Sequence, residues 1–115
     1  MERDCVFCRI LEGEIPATIL HQDDKIIALR DIKPQAPTHI LIIPKEHIPS
    51  LTELGDRQRD MVAHMIYTAN ELARREGLAE RGYRLVVNCG REGGQQVPHL
   101  HLHLLGGREL SALMG

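Results

Sequence analysis

The sequence predicts an α+β fold in which a mostly antiparallel five-stranded sheet packs against one long helix, with a short helix near the N-terminus. Several strand-like segments are joined by short turns, which favours antiparallel neighbours. Only one stretch repeats apolar residues at helical spacing, so one long helix is expected to cover the sheet. The 115 residues suffice for one core, and we expect a single domain over residues 1–115. One face of the sheet then remains available for a site.

The N-terminal half contributes the short helix and three strands. Residues 5–12 form the predicted helix, which a glycine and a proline end. Two strands are expected near residues 18–22 and 25–30, joined by a tight turn. A loop at residues 33–37, with a proline near each end, leads into a near-continuous apolar strand at 38–43.

The C-terminal half contributes the long helix and two more strands. The helix is predicted to begin at Asp56 as its cap and to end at Gly77. Its apolar positions at helical spacing are Met61, Val62, Met65, Ile66, Ala69, Leu72 and Ala73. A fourth strand is expected at residues 84–88, and a turn at 90–96 connects it to a fifth strand at 99–105.

The fifth predicted strand reads His-Leu-His-Leu-His-Leu-Leu. Because side chains alternate along a strand, its three histidines share one face and the leucines share the other, against a core. His99 and His103 would lie roughly 13 Å apart, too far to bind one tetrahedral ion together. Taken alone, the pattern also fits a chance histidine cluster or an exposed edge strand.

A glycine-rich segment, Asn-Cys-Gly-Arg-Glu-Gly-Gly-Gln-Gln-Val, occupies residues 88–97 directly before the histidines. Glycines let backbone N–H groups approach an anion, and amide side chains add donors without charge. A turn needs glycine in any case, so the segment alone has a purely structural interpretation. Followed by neutral, nucleophilic imidazoles, it indicates attack on phosphorus through a covalent phosphoramidate intermediate.

Composition excludes several classes of partner. The formal net charge is −2, so no basic field attracts nucleic acid or an anionic membrane. No run of 18 apolar residues and no secretory leader occurs, and we expect a cytoplasmic protein. The pair Cys5-x-x-Cys8 indicates metal or redox use, with two core cysteines as the alternative, and Cys89 is expected to be a small core residue.

Several separate segments, in order, resemble the histidine triad (HIT) family, in its Hint branch of purine nucleoside phosphoramidate hydrolases. They are Asp31-Ile32, Pro37-Thr38-His39, Ile43-Pro44-Lys45-x-His47-Ile48, Asn88, Gly93-Gly94-Gln95, the histidine segment and Leu105-Gly106-Gly107-Arg108. The resemblance implies cleavage of purine nucleoside phosphoramidates, or of related mixed phosphoanhydrides, through a nucleotidyl-histidine. Two alternatives are a nucleotide-binding scaffold with vestigial catalysis and a zinc hydrolase using a His-x-His pair, which lacks a nearby carboxylate as general base.

The same resemblance implies roles for individual residues. His101 would be the nucleophile, His103 would contact the phosphoryl oxygens, and His39 would support the triad. Asp31 would accept hydrogen bonds from both ribose hydroxyls. The residues implied to contact the α-phosphate are Asn88, Gly94, Gln96 and Val97, and those implied to hold the base are Phe7, Ile10, Leu29 and Ile32. Gln96 departs from the serine usual in eukaryotic members, and the C-terminus lacks the Trp-Pro-Pro tail common in the branch.

The resemblance also implies a bound metal and a homodimer. Cys5, Cys8, His47 and His99 match the positions of zinc-binding members, and two thiolates with two imidazoles make a closed, structural zinc site. The long helix and the strand at 82–88 match the elements that pair in homodimers of the family. His64, on a helix face expected to be solvated, and His21, at the end of a strand, are interpreted as nonfunctional.

Overall fold

The computed structural model describes residues 5–113. In chain order its helices and strands are α1 (Val6–Leu11), β1 (Ile19–Gln22), β2 (Ile26–Arg30), β3 (Thr38–Pro44), α2 (Arg59–Arg75), β4 (Tyr83–Val86) and β5 (Leu102–Gly106). Short 3-10 turns at Leu51–Glu53 and Asp56–Gln58 lie between β3 and α2. No helix in the described part of the chain is long and apolar enough to cross a membrane.

Within residues 5–113 the strands form one five-stranded antiparallel sheet in the order β1-β2-β3-β5-β4. Strand β3 is central, and all seven of its residues are buried. It pairs with β5 so that His39 lies opposite Leu105 and Leu41 opposite His103. The predicted fold class is confirmed: an antiparallel sheet with one long and one short helix.

The two faces of the sheet bury two separate clusters, which explains the near-continuous apolar run of β3. The cluster on the α2 side includes Ile40, Ile42, Leu102 and Leu104 from the sheet, packed against α2 residues such as Leu72. The cluster on the other side consists of Cys5, Phe7, Cys8, Ile27, Leu29, Leu41 and Ile43. Helix α1 therefore packs on the face of the sheet opposite α2.

The predicted strand at 99–105 is wrong at its start, because β5 begins only at Leu102. The amide of Leu100 donates to the carbonyl of Ile48 at 2.6 Å, and the amide of His99 donates to the carbonyl of Val97 at 2.8 Å. These bonds take residues 99 and 100 out of the ladder with β3. Leu100 nevertheless joins the α2-side cluster, so the expected burial of the leucines holds.

Two other boundaries differ from the prediction. Helix α2 begins at Arg59, because Asp56 lies in a 3-10 turn and its carboxylate accepts a hydrogen bond from the Arg59 side chain at 3.1 Å instead of capping the helix. The side chain of Gln58 accepts from the Gly55 amide at 2.7 Å and holds this turn. Strand β4 covers Tyr83–Val86 and stops before the glycine-rich segment.

Candidate active site

Hydrogen bonds on the α1 face of the sheet assign a tautomer to each histidine of the triad. The amide of Gln35 donates to Nδ1 of His39 at 3.0 Å, so a neutral His39 carries its proton on Nε2. That Nε2 lies 2.9 Å from Nδ1 of His103, which therefore accepts, and the proton of His103 lies on its own Nε2. His101 Nδ1 lies 2.7 Å from the carbonyl oxygen of His99 and must donate to it. The Nε2 of His101 is thus left with its lone pair.

Burial keeps the triad uncharged at neutral pH. Desolvation lowers the pKa of His101 below its usual value, against the opposing effects of the His99 carbonyl and the charge of Asp31. Desolvation also lowers the pKa of His103 to about 4, helped by the neighbouring His101 and His39. For His39, desolvation again outweighs the charge of Asp31 and lowers the pKa. Neutral imidazole is the nucleophilic form, so these residues are ready for reaction without losing a proton.

Asp31 places a carboxylate next to the triad. Its Oδ2 lies 3.5 Å from Nε2 of His39, and its Oδ1 accepts from the amide of Lys33 at 2.8 Å. The side chain is one-fifth exposed, so the carboxyl group is partly open to solvent. The carboxylate is fixed at the end of β2 with unused acceptor capacity, which suits hydroxyl groups of a ligand.

The apolar residues expected at the base lie partly together. Phe7 and Leu29 are buried in the α1-side cluster, and Ile10 packs against it, as does Val97, which the resemblance assigned to the α-phosphate. Phe7 contacts His101 edge to face, with ring centroids 5.0 Å apart. Phe7 is only 6 % exposed, so it forms a wall and leaves little open face for stacking. Ile32 is 87 % exposed and stands apart from this cluster.

The glycine-rich turn is held by amide side chains. Asn88 Nδ2 donates to the carbonyl of Gly93 at 2.8 Å, and Gly94 has a φ of 78°, a left-handed conformation that favours glycine. Gln95 spans the turn: its Oε1 accepts from the Gly90 amide at 2.9 Å and its Nε2 donates to the carbonyl of Pro49 at 2.6 Å. The side chain of Gln96 is exposed.

Gln95 is a residue whose role the sequence did not reveal beyond its place in a matching motif. The feature of the sequence that could have indicated this role is a side-chain amide directly after two glycines, because such a turn needs a side chain to form hydrogen bonds with its backbone groups.

The four expected zinc ligands come together beside the triad. The Sγ of Cys5 lies 3.2 Å from Nδ1 of His99, the Sγ of Cys8 lies 3.2 Å from Nδ1 of His47, and the two Nδ1 atoms lie 3.1 Å apart. In a tetrahedron with ordinary Zn–S and Zn–N bonds, the corresponding edges are about 3.6 Å for sulfur to nitrogen and about 3.3 Å for nitrogen to nitrogen. The observed separations are close to both.

The protonation state of His99 also fits a metal. Its Nε2 donates to the carbonyl of Pro44 at 2.8 Å, which leaves Nδ1 unprotonated and turned toward the two sulfurs. Cys5, Cys8 and His99 are buried, and no disulfide forms among Cys5, Cys8 and Cys89. The donor set is therefore that of a closed structural site, and His101 and His103 lie outside it.

The fold and the site together define a class of protein: an α+β domain carrying a largely buried triad of neutral histidines beside a glycine-rich turn. A family model described as HIT domain matches residues 12–110, and the chain belongs to this family. The expected resemblance is thereby confirmed.

Individual relatives agree closely along the chain. The purine nucleoside phosphoramidase of Escherichia coli K12 is 47 % identical over 114 residues, covering 99 % of this chain and 96 % of the relative. A solved HIT family hydrolase from Legionella pneumophila Philadelphia 1 is 52 % identical and superposes with a TM-score of 0.92, covering 95 % of this chain and 97 % of that one. A 14 kDa zinc-binding protein of Zea mays is 46 % identical over 108 residues, covering 92 % of this chain and 84 % of the relative.

Proposed function

We propose that this chain is a nucleotide-binding hydrolase that cleaves purine nucleoside phosphoramidates or related mixed phosphoanhydrides. The observation that carries the proposal is the set of hydrogen bonds that fixes the tautomer of each triad histidine. It leaves a bare Nε2 on His101 and an N–H on the adjacent His103, whose ring centroid lies 4.8 Å away. A nucleophile next to a hydrogen-bond donor is what attack on a phosphoryl group needs. The activity named for the Escherichia coli relative supports the same substrate class.

The proposed reaction has two steps. The lone pair of His101 Nε2 attacks the α-phosphorus, a histidine N–P bond forms, and the P–N bond to the leaving amine breaks. The amine takes up a proton from solvent as it departs. Water then attacks the nucleotidyl-histidine, loses a proton, and releases the nucleoside monophosphate with His101 restored. The N–H of His103 would donate to a phosphoryl oxygen in both steps, and positioning in line with the leaving group would provide much of the acceleration.

Binding roles follow the arrangement around the triad. We assign the ribose hydroxyls to Asp31, whose side chain is partly exposed beside His39. The phosphate is assigned to the turn residues Asn88, Gly94, Gln96 and Val97, and the base to Phe7, Ile10, Leu29 and Ile32. His39 acts on the reaction through His103, since it donates the hydrogen bond that orients the His103 ring. It is therefore a positioning residue.

The decisive test is mass spectrometry of the protein mixed with adenosine 5′-phosphoramidate and quenched early. We expect an adduct of one nucleoside monophosphate on His101, and none in His101→Ala, whose turnover should fall by several orders of magnitude. Cys89→Ser serves as a folded control outside the triad. An active His101→Ala variant would contradict the covalent mechanism. Nucleotide binding by the wild type without turnover would instead favour a scaffold.

We also propose that Cys5, Cys8, His47 and His99 hold a structural Zn²⁺, which fits the spacing of their ligand atoms. Bound zinc would supply a crosslink between α1 and the segment that leads into β5. Metal analysis of protein purified without added zinc should find about one zinc per chain in the wild type and in Cys89→Ser, and about one fewer in Cys8→Ser, together with a lower Tm. A wild-type protein that takes up no zinc during refolding with zinc would contradict the assignment.

Finally, we propose a cytoplasmic homodimer built from one domain. Strand β4 lies at an edge of the sheet, and Tyr67 and Ile66 on α2 are 73 % and 44 % exposed. A strand at a sheet edge and exposed apolar side chains on the long helix both favour a two-fold interface. Light scattering should give twice the chain mass of 13.0 kDa. A mass of one chain at micromolar concentration would contradict dimerisation. Thiolate ligands favour a reducing compartment.

A further inference from the structure

Two histidines and an aspartate outside the triad and the cysteine group meet at the opposite side of the sheet. His21 lies on β1, His64 lies on α2, and Asp23 follows β1 in the turn to β2. The Oδ2 of Asp23 lies 2.7 Å from Nε2 of His21 and 2.7 Å from Nε2 of His64. The ligand atoms of all three residues lie within 4.8 Å of one another.

An irregularity in β1 turns His21 toward α2. The pairing with β2 shifts between Ile19 and His21, so that His21 lies opposite Ala28, a member of the α2-side cluster. Leu20 packs against the same cluster, so two consecutive residues face one side. This is how a strand residue and a helix residue come to share one carboxylate.

The carboxylate of Asp23 is held in place independently of the histidines. Its Oδ1 accepts from the amides of Lys25 at 2.8 Å and Ile26 at 3.0 Å, which is sufficient to form the turn. Burial acts to raise the pKa of Asp23, but the hydrogen bonds from His21 and His64 and from these amides outweigh it and hold the pKa well below its usual range. The group is an ionised, oriented carboxylate with Oδ2 directed at both imidazoles.

The surroundings suit an ion that enters from solvent. The side chains of His21, Asp23 and His64 are 29 %, 26 % and 39 % exposed. A shallow cavity of about 180 Å³ beside the histidines gives room for water ligands, and its wall carries Glu71 and Arg75, of opposite charge. The sequence had indicated a solvated, nonfunctional face for His64, but Thr68 on this face is buried and the three side chains converge.

We propose that His21, Asp23 and His64 bind a borderline divalent cation of the Zn²⁺ class, at a site separate from the cysteine group and from the triad. Two imidazoles and one carboxylate form a common ligand set for such ions, with coordination positions left for water. Edges between nitrogen and oxygen ligands of zinc are about 3.3 Å, so the pairs now at 2.7 Å must part by about 0.6 Å, a small movement for partly exposed side chains. When the ion binds the two Nε2 atoms, each neutral imidazole carries its proton on Nδ1 instead, and the ion joins β1 to α2.

The test is equilibrium dialysis of the folded protein against micromolar zinc, followed by metal analysis. Wild type should bind one zinc per chain more than His64→Gln, and the added zinc should raise the Tm of the wild type by more than it raises the Tm of the variant. Circular dichroism without added zinc establishes that the variant is folded. The difference between the two proteins reports this cluster alone, whatever the cysteine group holds.

A control variant separates this site from the triad. Asp31, His39 and His103 also bring their ligand atoms together, so His39→Gln is measured in parallel and should bind as much zinc as the wild type. Equal binding by His64→Gln and wild type would overturn the proposal and leave a hydrogen-bonded cluster without metal. Equal loss in His39→Gln and His64→Gln would overturn it as well.

Discussion

Replacing Gly93 by alanine tests whether the backbone of the glycine-rich turn positions the substrate. A Cβ at this position would lie 2.3 Å from the carbonyl oxygen of Cys89 and 2.8 Å from its amide nitrogen. These separations are roughly 1 Å shorter than those at which non-bonded atoms attract each other. Because the neighbouring atoms belong to the backbone, the turn itself must move. The carbonyl of Gly93, which accepts from Asn88, moves with it.

A displacement of about 1 Å at a positioning group can lower the rate about 100-fold, which corresponds to about 3 kcal/mol of barrier. The assay is steady-state hydrolysis of adenosine 5′-phosphoramidate, with kcat and KM measured on protein shown to be folded by circular dichroism. We expect kcat/KM to fall about 100-fold, with a Tm lower by only a few degrees, because Gly93 is exposed.

The matched control is Gly55→Ala, outside the site. A Cβ there meets only Oε1 of Gln58, at 3.5 Å, and φ is −131°, which alanine adopts without strain. Its rate should stay within about twofold of wild type, the range expected for a surface change away from the site. If Gly93→Ala kept wild-type kcat/KM, the turn backbone would have no part in positioning the substrate and the argument would fail.

Three further predictions concern the core, acid stability and ribose recognition. Leu104→Ala, at a fully buried position in β5, should lower the free energy of unfolding by about 2–5 kcal/mol in urea titration, and a loss below about 1 kcal/mol would contradict the packing described. The pKa of His103 is lowered to about 4 in the folded state, against about 6.5 in the unfolded chain. The contribution of His103 to the free energy of unfolding is therefore present above pH 6.5 and is lost as the pH falls toward 4. Between pH 7.5 and pH 5 the His103 contribution to the free energy of unfolding falls by about 2 kcal/mol. Urea titrations at the two pH values should show this part of the loss in the wild type and not in His103→Gln, and equal losses in both proteins would refute the prediction. If Asp31 accepts from the ribose, 2′,3′-dideoxy-AMP should bind at least about tenfold more weakly than AMP in calorimetry, and equal affinities would remove Asp31 from the site.

Much of the fold could be predicted from the sequence because it depends on local periodicity. Apolar residues at helical spacing predicted α2, and the apolar run before Pro44 predicted β3. A helix buried along one stripe and a strand buried on both faces each leave a characteristic pattern of apolar residues among neighbours in the sequence. The sequence predicted the ends of the strands less well. Residues 99 and 100 continue the alternating pattern of β5, but their amides donate to the carbonyls of Val97 and Ile48 and not to a neighbouring strand. Alternation describes side chains and does not specify the partners of the backbone.

By itself, the sequence determined which residues are chemically able to serve a site: alternating histidines, a glycine-rich turn and a Cys-x-x-Cys pair. Only the tertiary structure decided which of them meet. Cys5 reaches His99 across 94 residues and His39 reaches His103 across 64. The meeting of Asp23 and His64, across 41 residues, was not anticipated, because it depends on a shift of register in β1 and on the packing of α2 over that strand. Periodicity is a property of neighbours in the chain, whereas distances between remote side chains follow from strand order, register and packing, which the whole core sets together.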